Sequence, residues 1–153
     1  MYDTNGLFRL VYRSRSALKG SAGEVEATLS GILEASQRRN GESGITGALM
    51  FTRSLFVQAL EGPAAAVEAA FDRICCDLRH TDLEVVECSP ILERGFGDWS
   101  MRHLVPHDST GETTSGAEDA SALSETAIRA MKLMVVLAQP LPPARRTAPS
   151  RSR

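Results

Sequence analysis

The amino-acid sequence predicts an α+β protein with a ferredoxin-like fold, in which two helices pack on one face of a mixed sheet. Segments with alternating apolar residues and segments with helical spacing follow one another in the order β-α-β-β-α-β, with one further strand. The chain of 153 residues is long enough for one ordinary domain of about 100–150 residues, with a remainder. A third helix predicted in that remainder is expected to cover the other face of the sheet.

The first predicted strand spans residues 7–14, and its alternation places Tyr12 on a face that points into a core. A helix is predicted next, because Ser21 and Glu24 have the spacing of a capping box and apolar residues then recur at helical spacing. Residues 40–41, an Asn-Gly pair, are expected to end this helix, since asparagine and glycine tolerate left-handed backbone geometry.

Two strands joined by a tight turn are predicted over residues 45–52 and 55–61. The second of them sets Gln58 between apolar neighbours on one face. The second helix is predicted to begin at Pro63, because the first turn does not need its missing N–H, and its apolar stripe extends down to residues 79–80.

Two more strands are predicted over residues 83–88 and 99–104. Alternate residues of a strand point the same way, so Trp99, Met101 and His103 are expected to share one face of the last strand. These elements complete the predicted domain.

The C-terminal third of the chain has a different character. Residues 106–122 are rich in Ser, Thr, Gly and acidic residues without periodicity, and they are predicted to form a flexible linker. Helical spacing returns over residues 123–139, whose apolar stripe needs a partner. Residues 140–153 combine Pro, Ser and Arg and are predicted to be a disordered basic tail. The domain itself is therefore expected to span residues 1–105.

Composition excludes several classes of function. The formal charge of −2 gives no global positive field, so nucleic acid is not expected as a partner. Cys75, Cys76 and Cys88 are odd in number and two are adjacent, which argues against a disulfide framework and favours a reducing cytoplasm. The first twenty residues carry several cations and no long apolar run, so neither a signal peptide nor a membrane span is expected.

Motifs for common enzymatic chemistry are not found in the sequence. The histidines His80, His103 and His107 lack metal-ligand spacing, no glycine-rich phosphate loop follows a strand, and no nucleophile motif occurs. Ferredoxin-like sheets can also bind RNA through exposed aromatic residues, but the chain has no basic-aromatic string of that kind. No metal site and no catalytic activity are therefore expected.

Four strings carry a more specific signal: LVYRS (residues 10–14), RRNGESGITGALMF (38–51), FVQALEG (56–62) and GFGDWSMRHL (95–104). In this order they resemble the BLUF domain, the blue-light sensor that uses FAD, over residues 7–104. The resemblance implies a flavin held non-covalently between the two helices. FAD is the expected cofactor, with FMN and riboflavin as alternatives.

The resemblance also assigns roles to particular residues. Tyr12 is expected to donate an electron to the photoexcited flavin, and Gln58, between phenol and flavin, to change its hydrogen bonds by rotation or tautomerisation. Asn40 is expected to hold the polar edge of the flavin ring. Trp99 and Met101 match the region that relays the light signal, and the sequence leaves open which of them lies beside Gln58. Further cofactor contacts are expected from Ser14, Arg39, Asp77, Arg79 and His80.

Most of these residues also have an ordinary structural explanation, which for Trp99 and Met101 is a place in the core of a strand. Taken alone, Tyr12 is a core aromatic residue with one satisfied hydroxyl, and Gln58 is a strand glutamine bonded to neighbouring backbone. Asn40 is a helix-ending residue, and residues 77–80 are a cationic helix end that satisfies the helix dipole.

The predicted function is a short, single-domain blue-light photoreceptor with no output enzyme. Its signal is expected to leave through an unidentified protein partner or a homo-oligomer interface. The alternative is a ferredoxin-like interaction or dimerisation module without flavin. The colour of the purified protein separates the two, because a flavoprotein is yellow.

Overall fold

The computed structural model describes residues 6–52, 55–97 and 99–104 of the chain. These residues form seven elements: β1 (Leu7–Ser16), α1 (Ala22–Ser43), β2 (Thr46–Thr52), β3 (Leu55–Pro63), α2 (Ala64–Cys75), β4 (His80–Ile91) and β5 (Arg102–Leu104). The predicted α+β class, with two helices and a mixed sheet, is confirmed. The predicted linker, C-terminal helix and basic tail lie outside the described residues.

The five strands form one sheet in the spatial order β4-β1-β3-β2-β5. Neighbouring strands are antiparallel, except that β5 runs parallel to β2. The register of β1 and β3 pairs Tyr12 directly with Gln58. Because directly opposed residues of adjacent strands have Cβ atoms about 4.5–5.5 Å apart, this register alone brings the phenol and the carboxamide together.

The first helix is longer than the sequence pattern predicts. Its start is confirmed, since Ser21 and Glu24 each accept a hydrogen bond from the other's backbone N–H. The expected end at residues 40–41 is wrong, because the helix continues to Ser43 and is capped by Gly44, whose φ of 69° is left-handed. Glycine takes that conformation without a steric penalty. Asn40 is therefore a residue of the helix and does not end it, and its side chain projects from one face of α1.

The second helix is shorter than predicted. It ends at Cys75, and the expected continuation to residues 79–80 is wrong, because His80 pairs with Ser16 of β1 and begins β4. Leu78, which extends the helical apolar stripe in sequence, is 91% exposed. Strand pairing with β1 thus prevails over the helical spacing of apolar residues after Cys75. As a result, β4 begins earlier in the chain than predicted.

The sheet separates two apolar clusters, called here the inner cluster and the outer cluster. The inner cluster lies between the sheet and the helices and includes Leu29 of α1 and Val67 and Ala70 of α2. The outer cluster lies on the opposite face and comprises Val11, Ala48, Met50, Val57, Ala59, Phe96 and Leu104. Alternate residues of each strand enter different clusters, so the position of a residue along its strand decides which cluster it joins.

The last strand is shorter than predicted, and the expectation that Trp99, Met101 and His103 share one face is wrong. Met101 belongs to the inner cluster, whereas Trp99 packs against the outer cluster. The Trp99 N–H donates to Phe96 O at 3.2 Å, so the chain turns before β5 instead of extending. Alternation of faces holds only for extended chain, which begins at Arg102.

Two further expectations concern the chain as a whole. Cys75, Cys76 and Cys88 are free thiols, in agreement with their odd number. None of the helices in the described part of the chain combines the length and the hydropathy needed to cross a membrane.

Candidate functional site

A cleft opens between α1 and α2 over the inner face of the sheet. The space between its walls, which is continuous with the solvent, amounts to about 770 Å³. Apolar residues from the sheet and both helices line it: Ile32, Leu49, Phe56, Leu60, Ala70 and Ile74. Its polar lining has two sets of side chains. One set is Tyr12, Ser36, Asn40 and Gln58, and the other is Arg39, Arg73, Asp77, Arg79 and His80.

Tyr12 and Gln58 form a buried hydrogen bond at the floor of the cleft. The Tyr12 hydroxyl donates to Gln58 Oε1, and the two residues are only 4% and 5% exposed. Burial raises the pKa of the Tyr12 phenol above its ordinary value, and the Asp77 carboxylate raises that pKa further. The phenol is therefore neutral at physiological pH and retains the proton that it donates to Gln58.

Gln58 links this pair to the segment before β5. Its Nε2 donates a weak hydrogen bond to Met101 Sδ at 3.7 Å, and Met101 is buried. Met101 therefore lies beside Gln58 while Trp99 lies on the other side of the sheet, which settles the question that the sequence left open. A carboxamide carries two N–H donors and an acceptor oxygen, so Gln58 can bind the phenol, the thioether and a ligand at once.

Asn40 projects from α1 toward the same segment. Its Nδ2 donates to Ser100 O at 2.8 Å, and the residue is buried while it lines the cleft. Gln37, one turn earlier, donates from Nε2 to Met101 O at 2.9 Å. Sequence reasoning missed Gln37, although its position three residues before Asn40 puts both on one face of the helix. The two carboxamides tie α1 to the backbone that carries Met101.

Asp77 and Arg79 form an ion pair at the cleft, in the connection between α2 and β4. Arg79 Nε donates to Asp77 Oδ1 at 2.9 Å. The hydrogen bonds from Arg79 hold the pKa of Asp77 below its ordinary value, and the same bonds raise the pKa of Arg79. Arg39 and Arg73 also line the cleft, so its lining has three guanidinium groups against one carboxylate.

His80 lines the cleft and is held at both ring nitrogens. Its Nε2 donates to Ile74 O at 2.7 Å, and its Nδ1 lies 2.8 Å from Ser14 Oγ. Ser14 is 1% exposed and is not among the lining residues, so it supports His80 from behind. The structure thus brings most of the predicted cofactor contacts to one cleft: Tyr12, Arg39, Asn40, Gln58, Asp77, Arg79 and His80.

The residue types in the cleft fit a flavin. A flavin has a flat, largely apolar ring system with a polar edge of carbonyl and N–H groups, and FAD also has anionic phosphates. The apolar side chains suit the ring, and the carboxamides of Asn40 and Gln58 can pair with its edge. The surplus of guanidinium groups suits the phosphates. Fold and cleft together define a domain that can hold a flavin between two helices.

Comparison with known families agrees with this chemistry. The model of the BLUF family, described as sensors of blue-light using FAD, matches residues 7–102. The match covers more than half of the chain. The chain therefore belongs to the BLUF family, whose members are blue-light sensors with an FAD cofactor.

Two curated relatives show the kinds of protein in which similar sequences occur. The chain is 43% identical over 74 residues to the photoactivated adenylate cyclase subunit beta of Euglena gracilis, covering 48% of this chain and 9% of that protein. It is 35% identical over 95 residues to the blue light- and temperature-regulated antirepressor BluF of Escherichia coli, covering 62% of this chain and 23% of that protein. The matched region is thus less than a quarter of either relative, and the two relatives have different outputs.

A solved structure shows the same fold. The dark-state structure of the BLUF protein BlrB superposes on this chain with a TM-score of 0.63 at 38% sequence identity. The superposition covers 67% of this chain and 75% of that chain. The strand order and the two helices described above are therefore those of a BLUF domain.

Proposed function

We propose that this chain is a blue-light photoreceptor in which Tyr12 and Gln58 form the photochemical switch of an FAD held between α1 and α2. One observation carries the proposal. A hydrogen-bonded series leads from the Tyr12 hydroxyl through the Gln58 carboxamide to Met101, and so joins the floor of the cleft to the segment before β5.

Binding is assigned to the polar groups that line the cleft. Asn40 is proposed to pair with the ring edge, and Arg39 and Arg79 to attract the phosphates. Asp77 holds the Arg79 guanidinium in one orientation through its hydrogen bonds. His80 is proposed to contact the cofactor from a ring orientation that Ser14 and the end of α2 maintain.

Tyr12 is the proposed electron donor. A flavin in the cleft supplies the absorption of blue light and, once excited, the capacity to accept an electron. The Tyr12 phenol is neutral, buried and already hydrogen-bonded to Gln58 Oε1. A phenol that loses an electron becomes a strong acid, so its proton moves along that bond to Oε1. Tyr12 thus loses both particles and remains neutral, while the positive charge that Gln58 gains would face the electron accepted by the cofactor.

Gln58 is proposed to keep the altered hydrogen-bond arrangement after the flavin has been excited. When Oε1 carries a proton, the carboxamide can lose a proton from its nitrogen or rotate, so that its donor and acceptor positions change. The proton that leaves the Gln58 nitrogen would pass to a bound flavin, and Tyr12 would recover one electron and one proton from that flavin, so that Gln58 is left as a neutral tautomer. The hydrogen bonds on both sides of Gln58 are rewritten, and no ionised group remains in a region of low dielectric.

Met101 is proposed to transmit the rearrangement of the Gln58 hydrogen bonds from the cleft to the segment before β5. A rotated Gln58 presents its oxygen to Met101 Sδ, so the weak N–H to sulfur bond is lost. Asn40 and Gln37 hold the carbonyl groups of Ser100 and Met101, so a shift of Met101 alters both contacts. Trp99 lies two residues away on the outer face, where the same shift reaches the other side of the sheet.

The proposed output is contact with a separate protein, or a change in a homo-oligomer, and not catalysis by this chain. The relatives support this view, because the matched region is only 9% of a cyclase subunit and 23% of an antirepressor. Their different outputs favour a sensor whose effector lies outside the shared domain. The cytoplasm is the proposed compartment, since the three free thiols favour reducing conditions.

Absorption spectroscopy of the purified protein with FAD tests the proposal. We expect one oxidised flavin per chain in darkness, a small red shift of the visible absorption under blue light, and thermal reversal in the dark. The spectra before, during and after illumination measure all three. A colourless protein that ignores added FAD in a titration would contradict the proposal and favour an interaction or dimerisation module without flavin.

A further inference from the structure

The connection between β4 and β5, called here the connecting segment (residues 94–97 and 99–101), is fastened by a buried carboxylate. Glu61 of β3 is 0% exposed. Its Oε2 accepts hydrogen bonds from the N–H groups of Gly95 at 2.9 Å and Phe96 at 3.1 Å. Its Oε1 faces Arg9 of β1, whose Nε lies at 2.8 Å and Nη2 at 2.7 Å. One oxygen thus binds β1 and the other binds the connecting segment.

Two further contacts fasten the same segment. The Arg94 guanidinium donates to three oxygen atoms. They are Gly44 O after α1 at 2.7 Å, Thr46 Oγ1 of β2 at 2.9 Å and Glu61 O of β3 at 3.1 Å. Further along, the Gly47 N–H donates to Trp99 O at 2.8 Å. The segment is therefore attached to the rest of the domain before, at and after the residues that Glu61 holds.

These attachments decide which side chain lies beside Gln58. Phe96 belongs to the outer cluster, and the Trp99 ring lies 6.5 Å from the Phe96 ring between centroids. Arg102 Cζ lies 4.3 Å from the centroid of the Trp99 ring, within the range of a cation–π contact. With Trp99 kept on the outer face, Met101 is the residue that reaches Gln58.

We infer that Glu61 is a positioning residue of the light switch: by holding the N–H groups of Gly95 and Phe96, it keeps Met101 beside Gln58 in the dark. The inference rests on the proposed roles of Gln58 and Met101 and names the residue that sets the resting position of the relay. Gln58 and Glu61 belong to the same strand, so β3 holds the connecting segment at two points, one on each face of the sheet.

A carboxylate suits this task because, when ionised, it only accepts hydrogen bonds. Its partners are a guanidinium and two backbone amides, all of them donors, and burial excludes the water that would compete for them. A neutral amide of the same size would place its NH₂ group against either the Arg9 guanidinium or the backbone N–H groups of the segment. In both cases two hydrogen-bond donors would face each other without an acceptor. Replacement of one oxygen by an NH₂ group is thus enough to break the contact.

Glu61→Gln tests the inference, with Glu87→Gln as its matched control. Glu87 also faces Arg9, at 3.7 Å, and its replacement removes the same charge, but its described contacts are with Arg9 and Ser89 and not with the connecting segment. Three quantities are measured in full-length protein with FAD: the rate of thermal return to darkness, the methyl NMR signal of Met101, and amide exchange at Gly95 and Phe96.

Glu61→Gln is expected to keep both flavin and red shift, because no residue lining the cleft changes. Its return to the dark state should slow about ten-fold, the rate change that corresponds to the loss of one hydrogen bond to a charged group in the dark arrangement. In darkness the Met101 methyl signal should move toward its position under illumination, and exchange at Gly95 and Phe96 should accelerate. Glu87→Gln should match the unsubstituted protein in all three quantities.

A folded Glu61→Gln protein with an unchanged return rate and an unchanged Met101 signal overturns the inference, even if its melting temperature falls. Lower stability alone is what a purely structural ion pair predicts. If Glu61→Gln does not fold, Arg94→Lys takes its place, because an ammonium keeps the charge but loses the fork that reaches three acceptors. The same direction of change is then expected, and behaviour like the unsubstituted protein overturns the inference.

Failure of this inference is distinguishable from failure of the proposed function. If the chain binds no flavin, the proposed function fails, but the Met101 signal and amide exchange can still be compared in flavin-free Glu61→Gln and Glu87→Gln. If the unsubstituted protein has a photocycle and Glu61→Gln has the same kinetics and the same Met101 signal, only the role of Glu61 is wrong.

Discussion

Gln58 and Glu61 lie on the same strand of the sheet, but they face opposite sides of it and have different neighbours. Both are buried. Gln58 contacts a phenol and a thioether at the floor of an open cleft. Glu61 contacts a guanidinium and two backbone amides on the side of the outer cluster.

The comparison shows which buried polar groups can change state. Gln58 is neutral and carries both donors and an acceptor, so its hydrogen bonds can be exchanged without separation of charge. Glu61 is a charged acceptor, and removal of its partner would leave an unpaired buried charge, which costs about 3–5 kcal/mol. The inner side of β3 is therefore suited to switching, and its outer side is suited to staying fixed.

The largest expected effect comes from removal of the switch on the inner side. Tyr12→Phe removes only the hydroxyl, and Gln58→Leu replaces the carboxamide with an apolar group of similar size. Both variants should retain flavin, because Asn40, the guanidinium groups and the other apolar lining residues are unchanged, and both should lose the reversible red shift completely. Difference spectra with and without blue light measure the shift. A normal shifted state in Gln58→Leu would refute the hydrogen-bond switch, although membership of the BLUF family would stand.

The next effect in size concerns the outer side. The sequence predicts a helix over residues 123–139, tethered by residues 106–122, which is expected to cover the face of the sheet opposite α1 and α2. Its apolar side chains would each contribute about 1.5–3 kcal/mol when they leave water. Truncation before Pro106 should therefore lower the free energy of unfolding markedly or cause aggregation, measured by urea unfolding and light scattering.

Truncation after Gln139 is the control for that experiment, because it removes the basic tail and keeps the proposed helix. The shorter truncation should leave the free energy of unfolding unchanged. A soluble monomer that keeps its stability, its oligomeric state and its photocycle after truncation before Pro106 would show that this segment neither covers the sheet nor pairs with a second subunit.

The smallest of these effects concerns binding on the inner side. Asn40→Ala should weaken FAD affinity about ten-fold, because one lost hydrogen bond to a buried polar group costs about 1–3 kcal/mol. The helix itself should persist, since alanine has the highest helix propensity. Titration with FAD measures the dissociation constant. Gln37→Ala is the control, because Gln37 contacts the same backbone but does not line the cleft. Equal affinities in all three proteins would contradict the assignment of Asn40 to the flavin edge.

The fold was predictable from sequence to the level of element type and order, but not to the level of element ends. The capping box at Ser21 located the start of α1, because that signal involves neighbouring residues. The end of α1 was misplaced, since Asn40 and Gly44 both precede β2 and only one of them adopts the left-handed conformation. The end of α2 was misplaced because pairing of His80 with β1 is a long-range interaction.

The candidate site was predictable where a motif carried it. The resemblance named seven residues that line the cleft, but it missed Gln37 and Glu61. Glu61 had a weak signal, because an acidic residue inside an apolar strand needs partners if it is buried. No local pattern identifies those partners, since Arg9 and Gly95 lie 52 and 34 residues away in the chain.

By itself, the sequence determined the order of the elements, the core-facing position of Tyr12, the apolar neighbours of Gln58, and the set of phenol and carboxamides that is typical of a BLUF domain. These properties follow from local periodicity and from short strings of residues. Only the tertiary structure decided that Met101 lies beside Gln58, 43 residues away in the chain, while Trp99 packs on the opposite face. The reason is physical: both residues belong to a stretch that turns before its strand begins, so side-chain alternation does not apply, and contacts from distant strands and a helix set its path.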